Sequence, residues 1–407
     1  MTLRALLFTA ALVCAPATTS TPPHADARVR TGLDVALSDS LGVLRGKRVG
    51  LITNHTGVNA EGRRNIDLLF HAPGVRLTAL FGPEHGIAGT VRGGDLIGAA
   101  RDSATGLPVY SLYGTTRVPT PDMLQGLDVL VYDIQDVGSR TYTYVWTMAL
   151  AAEAAQRAGL SFVVLDRPNP IRADQVAGGV LDSAYRSFVG QYDVALRYGL
   201  TPGELLRYLI GTGRVHARAT VIPMQGYTRS MWFSETGLPW VNPSPNIRDQ
   251  ETALLYPGTV MFEATNLSEG RGTDAPLKQV GAPWLTDADA IAARLNGMHF
   301  PGLRFETRSA RVSSGEKHGG QTIPFIRFVV TNADSADAVA AAVWTLRFAS
   351  ERHPADFHWQ RGNGIEQLGG DAALRRVVES GGVNELLDRW KKEAATFQES
   401  TRRYWLY

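Results

Sequence analysis

The sequence predicts an α/β protein with a doubly wound parallel sheet and a second, smaller α+β domain. The segment DVLVYDI at 128–134 is apolar and β-branched almost throughout, which is typical of a strand buried on both faces. An Ala-rich helical segment at 141–158 follows, ends before Gly159, and leads into another apolar strand at 160–165. Strand, helix and strand in this order favour right-handed crossovers and therefore parallel strands.

Length and composition limit the possible classes of protein. The chain has 407 residues, of which 44% are hydrophobic, and its formal net charge is +2. This is a globular composition, and the length suggests two domains, which we place at 28–285 and 286–407. A charge this evenly balanced gives no reason to expect a nucleic-acid partner.

The first 27 residues have the pattern of an export signal followed by a spacer. A positive charge at Arg4 precedes an apolar run at 5–14, and the small residues at 15–17 resemble a cleavage site. The run is shorter than the roughly 20 residues of a transmembrane helix, so no membrane span is expected and the protein is predicted to be secreted or periplasmic. Cys14 is the only cysteine, so the exported chain is expected to lack disulfides and cysteine metal ligands.

The other elements of the first domain follow from short apolar runs and capping signals. Thr201 and Glu204 form a capping-box pattern at the start of one helix, and Thr120 followed by Pro121 starts another. The predicted elements are helices at 32–39, 65–70, from 121 onward and at 201–210, and strands at 48–53, 77–81, 108–113 and 217–222.

The stretch 232–284 differs from the rest of the chain. It is rich in Pro, Gly, Asn and Trp, has little periodicity, and is expected to be a long loop of functional importance. The second domain is predicted to begin with a helix at 286–296, with Thr286 as its N-cap. Its further predicted elements are strands at 303–308 and 323–331 and helices at 336–350, 372–379 and 384–397.

Each of four successive strands of the first domain is followed by polar side chains. The four groups are Asn54-His55, Glu84-His85, the residues from Asp133 to Arg140, and Asp166-Arg167-Asn169. Parallel strands end at one rim of their sheet, which is where open α/β sheets bind ligands. The sequence therefore predicts that these carboxylates, histidines and arginines converge on one site.

Several kinds of site have no counterpart in the sequence. There is no G-x-G-x-x-G at a strand–helix junction, no G-x-x-x-x-G-K-[ST], no G-x-S-x-G and no H-E-x-x-H. His55 and His85 lack the spacing of a metal-binding pair. We therefore expect neither a cofactor nor a metal ion.

The remaining polar side chains suit a carbohydrate ligand. Sugars bind to planar polar groups and to aromatic rings, for which the candidates are Tyr142, Tyr144, Trp232, Trp240 and Trp284. Glycoside hydrolysis usually needs two carboxyl groups across the scissile bond. Glu84, which follows a buried strand and precedes a Gly-rich turn, is the best candidate for the acid/base. The candidates for the second carboxyl group are Asp133, Asp136, Glu263 and Glu269.

Eight motifs resemble one known family in order along the chain. They are LITNHTG (51–57), LFGPEHGIAG (80–89), PVYSLYG (108–114), DVLVYDIQDVGSRTYTY (128–144), LDRPNP (165–170), NPSPN (242–246), YPGTVMFEATNLSEGRGT (256–273) and GAPW (281–284). On these motifs the chain resembles the NamZ-type exo-β-N-acetylmuramidases, formerly a domain of unknown function. The resemblance extends from about residue 30 to the C-terminal YWLY.

The resemblance implies a Rossmann-like catalytic domain, a smaller C-terminal domain and a cleft between them. It also implies an exported glycoside hydrolase that removes terminal β-linked N-acetylmuramic acid from the non-reducing end of peptidoglycan fragments, so that the partner is a peptidoglycan-derived sugar or muropeptide. The catalytic glutamate of the family lies in a P-E-H-G motif, which places it at Glu84 in this sequence.

We assign the remaining candidate residues within this hypothesis. His85 is expected to orient Glu84, and Asp133 or Asp136 to position a water molecule or the sugar. Arginine binds carboxylates with two parallel hydrogen bonds, so Arg140, Arg167 and Arg271 are expected to meet the lactyl carboxylate of muramic acid. The predicted substrate-binding residues are Asn54, His55, Arg140, Tyr142, Arg167, Asn169, Asn246, Glu263, Asn266 and Arg271.

Two other functions fit parts of the same pattern. A two-lobed muropeptide- or sugar-binding protein without turnover would also be exported and would also have a polar cleft. An amidase or esterase that acts on the same wall fragments through a bound metal ion is a third hypothesis, which a chelator would test.

Overall fold

The protein is described by a computed structural model that covers residues 28–90, 100–360, 362 and 364–407. The predicted export signal and spacer at 1–27 lie outside the described residues. None of the helices in the described part of the chain combines the length and the apolar composition needed to cross a lipid bilayer.

The strands of the described chain form three sheets. The strands are β1 (Arg48–Thr53), β2 (Arg76–Gly82), β3 (Ala100–Arg101), β4 (Pro108–Ser111), β5 (Val129–Asp133), β6 (Ser161–Leu165), β7 (Ala177–Val180), β8 (Ala195–Arg197), β9 (Ala219–Ile222), β10 (Gln279–Gly281), β11 (Leu303–Arg311) and β12 (Thr322–Val330).

The large sheet has the order β3-β4-β2-β1-β5-β6-β9, and all of its pairings are parallel except that of β3 with β4. The chain builds outward from β1 in one direction through β2 and β4, and then in the other through β5, β6 and β9. The predicted doubly wound parallel sheet is thus confirmed. Thr53 of β1 lies beside Asp133 of β5, so the strand ends are level at the rim where the order reverses.

The helices of the described chain are α1 (Gly32–Ser38), α2 (Asn65–Phe70), α3 (Pro121–Leu124), α4 (Tyr144–Arg157), α5 (Pro202–Gly211), α6 (Gln250–Thr259), α7 (Ala288–Gly297), α8 (Ala338–Arg352), α9 (Gly364–Gly369), α10 (Ala373–Ser380) and α11 (Val383–Thr401). Helices α1, α2, α4 and α5 pack on the strands of the large sheet.

The two faces of the sheet bury separate apolar clusters. On one face, Leu33 of α1 and Leu69 of α2 pack with Leu51 and Val131 of the strands. The cluster on the other face contains Tyr132 of β5 and side chains of α4 and α5. Because successive strand residues point to opposite faces, a strand that is buried on both is expected to be apolar, as β5 is from Val129 to Tyr132, before it ends at Asp133.

The second sheet has the order β10-β12-β11 and is antiparallel. Helix α7 packs on β11 and β12 and is itself covered by α8, and Phe305 and Phe328 of this sheet belong to the same apolar cluster as Tyr132 of the large one. The smaller α+β part is therefore present. Strand β10 lies before residue 286 but pairs with β12 of the second sheet. The domain limits 28–285 and 286–407 therefore remain a prediction.

The prediction of a long irregular stretch at 232–284 is wrong in its middle. Helix α6 occupies Gln250–Thr259, and the side chain of Asp249 caps it by accepting a hydrogen bond from the Thr252 N–H at 2.7 Å. This helix is buried from Thr252 to Thr259, so it has no apolar stripe that would reveal it in the sequence. Pro257 inside the helix hides it further.

The predicted start of the next helix also needs correction. Helix α7 begins at Ala288 with Asp287 as its N-cap, and Thr286 lies outside it. The Asp287 carboxylate makes no capping hydrogen bond, because it pairs instead with Arg352 and His353 of the α8 end. Tertiary contacts thus override the local capping signal.

Two buried carboxyl groups lie just beyond strand ends of the large sheet. Asp136 accepts hydrogen bonds from the Tyr198 hydroxyl and, at 2.7 Å, from the Gly138 N–H, and burial raises its pKa to about 7. Burial likewise raises the pKa of Asp166 to about 6, although it accepts hydrogen bonds from Thr201 and from the hydroxyl of the C-terminal Tyr407. Both groups are more easily protonated in the folded than in the unfolded chain.

We predict that Asp136→Asn changes the pH dependence of stability. The pKa of Asp136 is about 7 when folded and near 3.8 when unfolded, so the folded state binds its proton more tightly and wild-type stability falls as the pH rises from about 4 to 7. The variant lacks this loss, which amounts to up to about 4 kcal/mol. Urea unfolding at pH 4, 5.5 and 7.5 measures the difference.

The matched control is Asp388→Asn, on an exposed position of α11. The contribution of Asp166 is common to all three proteins and cancels in the comparison. Equal pH slopes for wild type and Asp136→Asn would contradict the prediction.

Candidate active site

Glu84 lies in a tight turn directly after β2. The strand ends at Gly82, and the Glu84 and His85 side chains are both half-buried at the rim of the sheet. His85 has a φ of 69° and Gly86 a φ of 73°, so two consecutive residues adopt the left-handed conformation. This conformation is uncommon for a residue with a side chain and is concentrated at functional sites.

The Glu84 carboxylate is held by the N-terminus of α4. The Thr143 hydroxyl donates a hydrogen bond of 2.8 Å to Glu84 Oε2, and Thr143 is the residue that precedes the first turn of α4. A neutral donor of this kind orients the carboxylate without adding a charge. Since α4 packs on β5 and β6, the rigid sheet fixes the position of the carboxylate.

The NPSPN segment at 242–246 is bound to the same rim. A ring nitrogen of His55, Nε2, lies 2.7 Å from the Asn242 carbonyl oxygen, and the Tyr144 hydroxyl donates to the Pro243 carbonyl at 2.7 Å. Burial lowers the pKa of His55, and the charge of His85 acts in the same direction. These two bonds bring a segment that is remote in sequence next to Glu84.

A second charged cluster comes from the segment after α6 and from the C-terminal part. Arg271 donates to Glu263 Oε1 at 2.5 Å, and its Nε lies 3.6 Å from Glu269. The Lys317 ammonium lies 3.2 Å from the other oxygen of Glu269. Burial and the neighbouring Glu269 raise the pKa of Glu263, and the carboxylates raise that of Arg271 against the effect of burial.

Three tyrosines connect the two groups. The Tyr142 ring contacts those of Tyr144 and Tyr256 edge-to-face, with centroid distances of 4.8 and 5.7 Å. Burial raises the pKa of the Tyr256 hydroxyl, and the charges of Glu263 and Glu84 both contribute. Glu84 and Glu263 therefore both lie within electrostatic reach of the Tyr256 hydroxyl, and we call the three rings of Tyr142, Tyr144 and Tyr256 the aromatic wall.

A cavity of about 400 Å³ opens beside the turn that carries Glu84. Asn54, His55, His85 and Ile87 are among the residues that line it. Its size is in the range of small-molecule pockets, and eight of its fourteen lining residues are polar or charged. Within the described residues, no three His, Cys, Asp or Glu side chains come together in a way that could hold a metal ion.

Asp133 and Asp136 lie beneath the rim. Asp133 has no exposed surface, and its two oxygens accept hydrogen bonds from Arg167 at 2.5 Å and Asn65 at 2.7 Å. Asp136 is buried against Tyr198. In this arrangement both carboxyl groups are part of the support under the site.

The three candidate arginines lie in different surroundings. Arg140 is fully buried and donates to the carbonyls of Gln367 and Leu368 at the end of α9, and burial lowers its pKa to about 9. Arg167 is buried in its ion pair with Asp133. The side chain of Arg271 keeps 28% of its surface exposed, so it is the one of the three that solvent reaches substantially.

The candidate asparagines are also separated. Asn54 is buried at the end of β1 and its Oδ1 accepts hydrogen bonds from Thr56, while Asn169 bonds the Leu200 carbonyl. Asn266 pairs through its amide with backbone groups of residues 356 and 358 in the C-terminal part. Asn246 is half-buried in the NPSPN segment.

Three residues of the site escaped the sequence analysis. Thr143 and Tyr256 lie inside motifs that were singled out, but nothing in the sequence indicates that their hydroxyl groups face Glu84 or Glu263. Lys317 lies in the turn between β11 and β12, more than 40 residues beyond Glu269, and has no local signal. The candidate rings Trp232 and Trp284 contact Asp334 and His353 of the C-terminal part.

Comparisons with known proteins cover nearly the whole described chain. The family model described as "Exo-beta-N-acetylmuramidase NamZ, N-terminal" matches residues 49–251, and the corresponding C-terminal model matches residues 254–407. The chain is 40% identical over 381 residues to the peptidoglycan beta-N-acetylmuramidase NamZ of Bacillus subtilis (strain 168). The aligned region covers 93% of this chain and 92% of that protein.

Two crystal structures of DUF1343 family proteins from Bacteroides fragilis NCTC 9343 have the same fold. The first superposes with a TM-score of 0.87 at 36% identity, and the second with a TM-score of 0.73 at 27% identity. Each comparison covers 93% of this chain and 99% of the other. The chain therefore belongs to the NamZ family of exo-β-N-acetylmuramidases.

Proposed function

We propose that this protein is an exported hydrolase that removes terminal β-linked N-acetylmuramic acid from the non-reducing end of peptidoglycan fragments. The observation that carries the proposal is the position of Glu84, half-buried at the sheet rim and held by Thr143 beside the aromatic wall. A glycosidase needs a carboxyl group that is fixed and still reached by the substrate. The sequence relationship to a peptidoglycan β-N-acetylmuramidase supports this choice of substrate.

Glu84 acts as the general acid/base in this proposal, and Glu263 is the favoured second carboxyl group. Glu263 is partly exposed, with 31% of its side-chain surface accessible, so a substrate can reach it. Asp133 and Asp136 support the rim from below, and a direct role for either with water or sugar remains a prediction.

Arg271 is the residue that we propose to bind the lactyl carboxylate. Its side chain is partly exposed, whereas Arg140 and Arg167 are buried and engaged by backbone carbonyls or by Asp133. A guanidinium forms two parallel hydrogen bonds with a carboxylate, and muramic acid differs from glucosamine in carrying that carboxylate.

Export is proposed from the first 27 residues alone, with their positive start, apolar run and small-residue cleavage pattern. We expect the mature protein outside the cytoplasm, with a new N-terminus near residues 17–28. N-terminal sequencing of protein recovered from cell fractions measures this. An intact Met1 on cytoplasmic protein would contradict it.

We predict that Glu84→Gln removes hydrolysis and retains binding. General acid–base catalysis typically contributes 10²–10⁴-fold, so kcat/KM on a MurNAc–GlcNAc disaccharide is expected to fall by about that factor. The loss should be smaller on 4-nitrophenyl β-N-acetylmuraminide, because 4-nitrophenolate leaves without protonation. Initial rates on both substrates measure the two losses.

The matched control is Glu306→Gln, which changes a half-exposed glutamate of β11 paired with Arg304. Full activity of Glu84→Gln would exclude Glu84 as the acid/base. If the wild type releases no product from either substrate but binds muropeptides, the chain is a binding protein.

We predict that Arg271→Lys weakens selection for the lactyl carboxylate. The substitution keeps the positive charge but loses the two-pronged geometry, and hydrogen bonds to charged groups are worth about 1.5–3 kcal/mol. KM for the muraminide should rise by about tenfold or more, while KM for the corresponding lactyl amide stays nearly unchanged.

Steady-state kinetics on the acid and the amide measure this change in KM. The control is Arg308→Lys, because Arg308 pairs with Asp274 on the surface. Equal changes on both substrates would show that Arg271 does not recognise the carboxylate.

A further inference from the structure

The turn between β11 and β12 reaches from the C-terminal sheet to the charged cluster. The Lys317 ammonium donates to the carbonyl oxygens of Phe262, Glu263 and Leu267 at 3.1, 3.2 and 3.0 Å. The same ammonium lies 3.2 Å from Glu269 Oε2. One lysine thus binds the backbone on which Glu263 stands and also the side chain of the second glutamate.

Neighbouring residues of this turn hold the rest of the segment. A ring nitrogen of His318 lies 2.7 Å from the Asn266 carbonyl oxygen, and His318 itself has a left-handed φ of 61°. Ser313 donates to the Gly272 carbonyl through both its N–H at 2.9 Å and its hydroxyl at 2.8 Å. The chain on both sides of Arg271 is therefore attached to the turn.

Lys317 also balances the charges in this cluster. Three carboxyl groups, those of Glu263, Glu269 and Glu316, act on the Arg271 guanidinium. Glu269 is nearly fully buried, and a buried carboxylate without a cation is strongly unfavourable. Lys317 supplies a second cation, without which all three carboxyl groups would surround Arg271 alone.

We propose that Lys317 is a positioning and specificity-determining residue, which neutralises Glu269 so that Arg271 can accept the carboxylate of an anionic sugar. The inference rests on the proposed function, because it names the group that sets selectivity at that same site. Lys317 acts through Glu269 and Arg271. With Lys317 the three carboxyl groups face two cations, and without it they face Arg271 alone, so the local negative surplus grows, which repels a substrate carboxylate and leaves a neutral substrate unaffected.

The test compares three substitutions on two substrates. Lys317→Met removes the charge and the donors, Lys317→Gln removes the charge but keeps amide donors, and Lys317→Arg keeps both. We expect the Met and Gln variants to raise KM for 4-nitrophenyl β-N-acetylmuraminide by about tenfold or more. KM for its lactyl amide should change less than twofold, kcat should change little on either substrate, and Lys317→Arg should stay close to wild type.

Lys392→Met, on an exposed position of α11, is the control for removing a lysine charge. If the charge-free variants lose activity equally on the acid and the amide, Lys317 is only a structural anchor and the inference is overturned. If Lys317→Arg fails as badly as Lys317→Met, the charge is not what matters, which also overturns it.

The result separates this inference from the function on which it rests. A wild type that hydrolyses neither substrate would overturn the proposed function. An active wild type whose preference for the acid is unchanged in Lys317→Gln would overturn only the role of Lys317. Should Lys317→Met fail to fold, Lys317→Gln and Lys317→Arg still decide the question.

Discussion

The buried ion pair between Asp133 and Arg167 is the interaction on which the rim of the large sheet depends. It joins the end of β5 to the residues after β6, and both side chains are almost completely inaccessible to water. Removing two charges from water is costly unless each finds partners of good geometry. The Asn65 amide donates a further hydrogen bond to Asp133, and Arg167 donates one to the Val58 carbonyl. The pair therefore also fixes α2 and the loop after β1.

This constraint explains how a turn can hold a reactive group in place. The ends of β1, β5 and β6 are tied together below the rim, and β2 pairs with β1, so the turn after β2 is attached to a rigid base. Glu84 can then occupy a turn with two left-handed residues and still keep its hydrogen bond to Thr143. The strained backbone is supported by the sheet and by α4, which is the usual situation of a preorganised catalytic group.

The charged cluster around Arg271 is held differently. It lies on a segment with little regular structure, so its position depends on contacts from the C-terminal part, made by Lys317, His318 and His358. The two parts meet at Tyr142 and Tyr256. Tyr142 lies just before α4 and Tyr256 lies inside α6, so the two parts come from stretches of the chain more than 100 residues apart, which accounts for the lack of a simple motif covering the whole site.

Much of the fold was predictable because the relevant signals are local. The apolar run at 128–134 predicts a buried strand, and β5 is buried along its whole length. The capping box predicted at Thr201 and Glu204 is present at the start of α5. Helix α6 was missed because it is buried on all sides and contains Pro257, and the start of α7 was misplaced because Asp287 pairs with α8. In each case packing outweighed the local pattern.

The sequence by itself determined the parallel order of strands and the arrival of Glu84, Asp133 and Arg167 at one rim, since parallel strands must end together. Only the tertiary structure decided which polar groups face inward: Asp133 and Arg167 neutralise each other in the core, whereas Glu84 and Arg271 keep accessible surface. The physical reason is that burial and pairing depend on neighbours distant in sequence, and no residue type carries that information alone.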